Sequence, residues 1–339
     1  MARLSMRDVA ALAQVSIGTV SNVLNNPDRV LPSTRERVEK AIAQLGWVPN
    51  QQAQQLRAGR GRTIGLAVMD VTNPFFADLL RSAQDVLFDN GFHATIGDAD
   101  NNPQRQETIL RTFLEQRVRG VILGPIGAQP DEVGELTKAR IATVLVDRVA
   151  ESVQCCTVGV DDHAGGRLAV DHLVETGHRR IAFAGGPISL KQVQDRLDGS
   201  KQAALEGDAE LLVIAVPELD IAAGRQAADE LVLMAPETRP TGVFCANDLV
   251  AIGLLQGLMA QGLSVPDDVA IVGYDNIDFA AAAAVPLSSI AQPRTDLGRT
   301  AANLLMAELA DAEAGVAHAH QSVRFTPNLV VRESSAPRR

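Results

Sequence analysis

The chain reads as an α/β protein: a small helical head over residues 1–48, a connecting segment over 49–62, and a body of two doubly wound parallel-sheet lobes. Three observations predict this. Three short amphipathic helices fit within the first 48 residues. From Thr63 onward, apolar strand-like runs alternate with helical stretches. Charge is also divided unevenly: residues 1–62 hold nine Lys and Arg against four Asp and Glu, and residues 63–339 hold 22 against 37, giving a net charge of −10. A basic head on an acidic body is the asymmetry expected when only the head touches phosphates.

The first helix follows Ser5, with Asp8 three residues on as a capping-box partner; Val9, Leu12 and Ala13 form its apolar side. Gln14-Val15-Ser16 makes a tight connection to a second helix, SIGTVSNVLN, capped by Ser16. Val20 and Leu24 share one side of that helix, Gly18 and Asn22 the other, and Ile17 lies at the margin. The third opens with SxxE at Ser33 and Glu36, runs through Val38, Ala41, Ile42 and Leu45, and stops at Gly46. Two short helices joined by a three-residue turn and backed by a third make a helix-turn-helix.

Next comes WVPNQQAQQLRAGRGR. Pro49 ends the third helix, and Asn50 can cap a very short one that ends near Arg57. About two helical turns are unstable alone in water, and Leu56 is the one large apolar side chain among glutamines. The segment reads either as a polar linker or as a hinge that folds on DNA and drives Leu56 between minor-groove base steps.

Together, MRDVAALAQVSIGTVSNVLN and TRERVEKAIAQLGWVPNQQAQQLRAGR resemble the head of the LacI/GalR family of bacterial transcriptional repressors, and the similarity continues to the end of the chain. The resemblance implies a second helix lying in the major groove, with Ile17, Gly18 and Asn22 at the bases and Leu56 as the wedge. Ser16, Thr19, Ser21, Asn25 and Arg29 match positions near phosphates or flanking bases, and Asn50, Ala53 and Arg57 complete the DNA-binding set. Asn22 can pair with adenine N6/N7 and Ile17 can touch a thymine methyl, although the spacing of Ile17 fits the core equally well. Gly18 costs about 1 kcal/mol of helix propensity relative to alanine; its missing side chain lets the helix approach the base edges closely.

In the body, RTIGLAVMDV, HATIGDAD, GVILGP and ATVLVDR are strand-like, and the cycle restarts with CTVGVDD, RIAFAGG, LLVIAV, GVFCAN and VAIVGYD. Strands alternating with helices imply parallel sheets with right-handed crossovers. SSIAQP and SVRFTPNLVVRES come late enough for the chain to return between lobes. The lobes are assigned to 63–160 with 293–321, and to 161–292 with 322–339. The resemblance implies the same layout, a periplasmic-binding-protein-like fold with three crossovers and an interlobe cleft.

Ligands of open parallel sheets bind at the carboxyl ends of strands. Polar residues just after strand ends are Asn73, Asp98, Asp147 with Arg148, Asn247 with Asp248, Asp275 and Gln292; Arg196 lies on the helix after GGP. Such groups suit hydroxyls or a carboxylate, and Asn and Asp also form turns routinely. The resemblance places Asp147, Arg196, Asn247, Asp275 and Gln292 around a small-molecule effector, a sugar or related polyol. Phe75 and Phe76 are available as apolar contacts, while Leu219 stands where many relatives carry an aromatic wall.

No GxSxG, Walker A, HExxH or dinucleotide fingerprint accompanies a strand, so neither an enzyme nor a cofactor is expected. Cys155, Cys156 and Cys245 show no metal spacing and read as buried small hydrophobes. His93 and His178 fall at lobe turns, and His318 and His320 fall in a loop before the last strand, where surface positions are the default. No metal is expected. There is no membrane-length apolar run and no signal-peptide core, which predicts a cytoplasmic protein. The end of the chain carries no leucine heptad, so a homodimer on an inverted-repeat operator is expected rather than a tetramer. A regulator without an effector and a solute-binding protein remain the alternatives.

Overall fold

The computed structural model describes residues 4–47, 61–127, 131–149 and 154–336. Asn50, Ala53, Leu56 and Arg57 lie outside the described residues, as does the side chain of Asn25. The chain divides into two compact units, Met1–Gly61 and Arg62–Arg339.

In the first unit, α1 spans Met6–Ala13, α2 Ile17–Asn25 and α3 Pro32–Leu45, with a 3₁₀ turn at Pro27–Arg29. The Asp8 carboxylate accepts from the Ser5 N–H at 2.7 Å and the Ser5 hydroxyl at 2.8 Å. The buried side of α1 is Val9, Ala10 and Ala13, whereas Leu12 is 42% exposed. That corrects the expected apolar side by one helical position: the face turned inward runs i, i+1, i+4. α3 is not capped by Ser33 either. Leu31 is its N-cap residue, without a side-chain cap, and Pro32 follows at the first turn, where its fixed φ suits a helix start and its missing N–H costs nothing. Gly46 ends α3 at φ 59°, a left-handed position that glycine takes without strain. Val9, Val20, Val23, Val38, Ala41 and Trp47 close a small core of their own.

The second unit holds two six-stranded sheets. In the first, the strands β1 (Thr63–Val68), β2 (His93–Asp98), β3 (Gly120–Leu123), β4 (Ala142–Val146), β5 (Cys156–Val160) and β11 (Ser322–Phe325) run in the order β11-β5-β4-β3-β1-β2. All of its pairings are parallel. In the second, β6 (Arg180–Gly185), β7 (Glu210–Ala215), β8 (Gly242–Cys245), β9 (Ala270–Asp275), β10 (Ser288–Ala291) and β12 (Asn328–Val330) run in the order β12-β10-β9-β8-β6-β7, with only β12 antiparallel. The helices are α4 (Pro74–Asp89), α5 (Pro103–Gln116), α6 (Asp131–Lys138), α7 (Asp162–Glu175), α8 (Lys191–Glu206), α9 (Ile221–Leu233), α10 (Asp248–Ala260), α11 (Asp278–Ala281) and α12 (Arg294–Ala314). β1, β3, β4, β5, β8 and β9 are buried almost throughout, which is why they read as continuous apolar runs rather than alternating ones.

The chain changes sheet after β5, after β10 and after β11. One strand reading and one boundary differ from the expectation. β5 does not restart the cycle: Val144 pairs with Cys156, so it extends the first sheet. Ser322–Phe325 also belongs there, with Ser322 opposite Thr157. The last crossing therefore falls at 326–327, not before 322. SVRFTPNLVV reads as one strand, but Pro327 has no N–H for a ladder, and the run splits there between the two sheets.

Candidate functional site

On α2, the Ser16 hydroxyl accepts the Thr19 N–H at 3.0 Å and lies 2.9 Å from the Thr19 hydroxyl. Both side chains are thus committed to starting the helix. Val20 and Val23 face inward, while Ile17 is 41% exposed and Gly18 and Asn22 are exposed. Ile17 is therefore not part of the head core. A Cβ on Gly18 would meet nothing nearer than the Ser16 hydroxyl at 3.5 Å, so no packing inside the head requires glycine there. Arg29, the last residue of the 3₁₀ turn, is exposed, and Ser21 is half-buried.

In the body, the strand ends deliver their polar residues through unusual backbone. Asp147, after β4, has φ 58°, and Asp275, ending β9, has φ 98°. Left-handed non-glycine residues cost of order 1–3 kcal/mol and concentrate at functional sites. Both carboxyls are buried, as are Asn73, Arg196, Asn247 and Gln292. Asn73 caps α4 by accepting the Phe75 N–H at 3.0 Å, and its amide donates to Asp275 at 3.2 Å. Gln292 donates to the other Asp275 oxygen at 2.7 Å. Gln192, on α8, donates to Asp147 at 3.0 Å. The Asn73–Asp275 and Gln192–Asp147 bonds each join a residue of the first lobe to one of the second. Arg294, at the start of α12, adds a third link by binding Asp78, the Asn276 carbonyl and Asp278.

A buried ion pair lies behind these bonds. The Arg196 guanidinium donates to Asp162 at 2.8 Å and to the Ala246 carbonyl at 2.7 Å, and sits 3.7 Å over the Tyr274 ring. The Tyr274 hydroxyl donates to the same Asp162 oxygen at 2.9 Å. Of the three buried side-chain oxygens without hydrogen-bond partners among the described residues, two belong to this network, Asp147 Oδ1 and Gln292 Oε1. Buried polar atoms are nearly always paired, so both mark places where a ligand can donate. Beside Asp147 opens a cavity of about 420 Å³, lined also by Arg148, Asp161, Asp162, Lys191, Gln192 and Arg324 among others.

Of the residues singled out from sequence for the cleft, Asp147 and its neighbour Arg148 line this cavity. Asn73, Arg196, Asp275 and Gln292 belong to the surrounding bond network. Asn247 caps α10 through the Val250 N–H and donates to the Leu219 carbonyl, so it positions the Leu219 loop. Leu219 itself is partly buried against the core. Phe75 and Phe76 are 2% and 5% exposed and stack edge to face at 5.0 Å. Asp98 holds its loop by accepting the Val71 and Asp100 N–H groups, and Asp248 is buried with both oxygens bonded to Ile277 N–H and Ser289. Sequence reasoning misses Asp162, Gln192 and the role of Tyr274. Asp162 is findable, because it stands in VDDH next to Asp161, which follows β5 as Asp147 follows β4.

Burial pushes the Asp147 carboxyl up to about 7, reinforced by the negative charges of Asp162 and Asp275 and opposed by Arg196 and Gln192. The folded protein then keeps a proton that the unfolded chain gives up near 3.9. Stability contributed by this group is full below about pH 4, falls as pH rises, and is lost above about pH 7. Asp147→Asn is accordingly expected to match wild type in thermal melts at pH 4. At pH 8 it should be more stable by about 2–4 kcal/mol, the cost to wild type of ionising a carboxyl inside the protein. Parallel melting curves at both pH values would show instead that Asp147 is ionised and solvated throughout.

Both units match described protein families. Residues 5–50 match the bacterial regulatory proteins of the lacI family, and residues 170–335 match the periplasmic binding protein-like domain. Over 317 residues the chain is 34% identical to the HTH-type transcriptional repressor CytR of Escherichia coli K12, covering 92% of this chain and 91% of that repressor. Among solved structures, the lac repressor dimer bound to operator and the anti-inducer ONPF matches with a TM-score of 0.80 at 26% identity, over 98% of this chain and 99% of that one. A transcriptional regulator CelR–cellobiose complex matches with a TM-score of 0.72 at 33% identity, over 98% and 100%. With a basic helix-turn-helix head, a two-lobed α/β body and this full-length similarity, the chain belongs to the LacI family of bacterial transcriptional regulators.

Proposed function

We propose that the chain is a sequence-specific transcriptional repressor, not an enzyme, that binds an inverted-repeat operator as a homodimer in the cytoplasm. A small molecule held between the lobes of its body controls it. The observation that carries this reading is the outward face of α2, where Ile17, Gly18 and Asn22 are exposed on a separately folded basic unit. A helix whose inner side is fully used by its own core presents the other side to a groove. Asn22 reads adenine, Ile17 packs on a thymine methyl, and Gly18 allows the close approach. Readout by so few side chains leaves part of the specificity to DNA deformability; the resemblance of the hinge favours a central CG step. The relatives support the partner: one is named a repressor and another is described as bound to operator. No helix among the described residues is long and apolar enough to cross a membrane.

The effector is a small polyhydroxylated molecule. Its hydroxyls would donate to Asp147 Oδ1 and Gln292 Oε1, which lack donors. The cavity beside Asp147 has no Phe, Tyr or Trp in its lining, and the Tyr274 ring is taken by Arg196. Recognition therefore runs through hydrogen bonds and charge rather than ring stacking. A ligand there competes with the Gln192–Asp147 and Asn73–Asp275 bonds, so occupancy and lobe arrangement are linked, and coupling to DNA affinity of about 1–3 kcal/mol is typical of such devices. The test is thermal melting against a panel of sugars, polyols, sugar phosphates and nucleobases. A true effector at about 100 times its dissociation constant adds roughly 2.7 kcal/mol, and should do so in wild type but less in Gln292→Ala. A panel with no hit among the hydroxylated compounds would remove this effector class.

A further inference from the structure

A cysteine and two histidines 162 and 164 residues further along the chain meet at the opposite end of the first sheet. Cys156, the first residue of β5, is fully buried. His318 and His320 come from the connection between α12 and β11. The Cys156 sulfur lies 3.3 Å from His318 Nε2 and 3.9 Å from His320 Nδ1, and the three donor atoms all lie within 4.8 Å of one another. A tetrahedral zinc, with Zn–S of about 2.3 Å and Zn–N of about 2.0–2.1 Å, separates its sulfur and nitrogen ligands by about 3.5 Å. The two sulfur–nitrogen distances bracket that value.

The surroundings are built as well. His318 is only 9% exposed, and its other nitrogen, Nδ1, lies 2.7 Å from the Asp311 carboxylate. That leaves Nε2 to face the sulfur as an acceptor, the carboxylate–histidine arrangement that orients metal-ligating imidazoles. One turn earlier on α12, Glu308 Oε2 is buried with no hydrogen-bond partner among the described residues. We propose that Cys156, His318 and His320 form a binding site for one zinc-class divalent cation per chain, with a water in the fourth position and Asp311 orienting His318.

One thiolate and two imidazoles suit zinc and its neighbours and reject magnesium and calcium, which take oxygen ligands. Binding converts the Cys156 thiol to thiolate and releases its proton to solvent. The cation pins the α12–β11 connection to β5 at the amino ends of the strands, whereas Asp147 and Asp161 of the cleft stand at the carboxyl ends. The site is therefore separate from the proposed effector pocket. The expectation that His318 and His320 are ordinary surface residues fails for His318.

The test is cobalt titration of the full-length chain after chelator dialysis. A thiolate-to-cobalt charge-transfer band should saturate at one ion per chain, be displaced by zinc, and be absent in Cys156→Ser. His320→Gln alters an exposed side chain and should weaken binding at least 10-fold. Asp311→Asn should weaken it about 10–100-fold, as loss of an outer-shell partner does. Zinc, but not magnesium, should raise the melting temperature of wild type, and that of His320→Gln by less at the same concentration. Absence of the band in the folded wild-type chain, or His320→Gln binding as wild type does, would overturn the proposal even if Cys156→Ser does not fold.

Discussion

Asp162→Ala is expected to destabilise the body by about 3–5 kcal/mol, because it strips the counter-ion from a buried guanidinium. Arg196 is 4% exposed and Asp162 8%, and one Asp162 oxygen accepts both Arg196 and the Tyr274 hydroxyl. In the variant, the Ala246 carbonyl and the Tyr274 ring still hold the cation, but neither neutralises it. Urea unfolding should show a lower midpoint at unchanged slope. Asp162→Asn keeps an acceptor and should lose less. Adding Arg196→Met to Asp162→Ala should recover part of the loss, since removing both members of a buried pair costs less than orphaning one. A loss under about 1 kcal/mol for Asp162→Ala would mean that water reaches the pair and that it does not brace the cleft.

Gly166→Ala should be comparably damaging for a reason of shape. A Cβ on Gly166 would run into the Arg196 carbonyl, and one on Gly199 into the His163 carbonyl. α7 and α8 therefore cross backbone to backbone, each glycine under the other helix. The same device joins α9 and α10, where Gly224 faces the Val250 carbonyl and Gly253 the Ile221 carbonyl. Overpacking against side chains costs about 1–3 kcal/mol; backbone cannot rotate away, so about 3 kcal/mol is expected here. α8 carries Gln192 and Arg196, so the variant should also weaken any cleft ligand found by the thermal panel. Gly134, in α6, has nothing within 4 Å of an added Cβ and serves as the control. Gly134→Ala should be neutral or stabilising by up to about 1 kcal/mol. Equal behaviour of the two variants would contradict the close crossing.

These two predictions rest on features the sequence shows only weakly, and the reason is physical. Strands announce themselves through local apolar runs, so each lies in a stretch that reads as strand, and the rule that ligands sit at strand ends picks out Asp147 and Asp275. Partnership is not local. Asp162 pairs with Arg196 and Tyr274 only because α7, α8 and β9 converge, and Gln192 meets Asp147 across two lobes. Cys156 and His318 are brought together by the parallel pairing of β5 with β11, which no spacing rule conveys. Two differences are local ones: a helical count one position off puts Leu12 inside, and Pro327 hides the last crossing within an apolar run. In the head, the spacing of Ile17 suits core and solvent alike, and the packing of Val20 and Val23 decides for solvent.

The central claim is that the outward face of α2 reads DNA bases. The direct measurement is to select binding duplexes from a random pool with the wild-type chain. Affinity of wild type and Asn22→Ala for the selected duplex is then compared at fixed salt. An inverted repeat should be enriched, and Asn22→Ala should bind it about 1–3 kcal/mol more weakly, the worth of a bidentate base contact, while non-specific binding changes little because no phosphate contact is lost. No enrichment, or equal affinity of the two proteins for the selected duplex, would contradict the account.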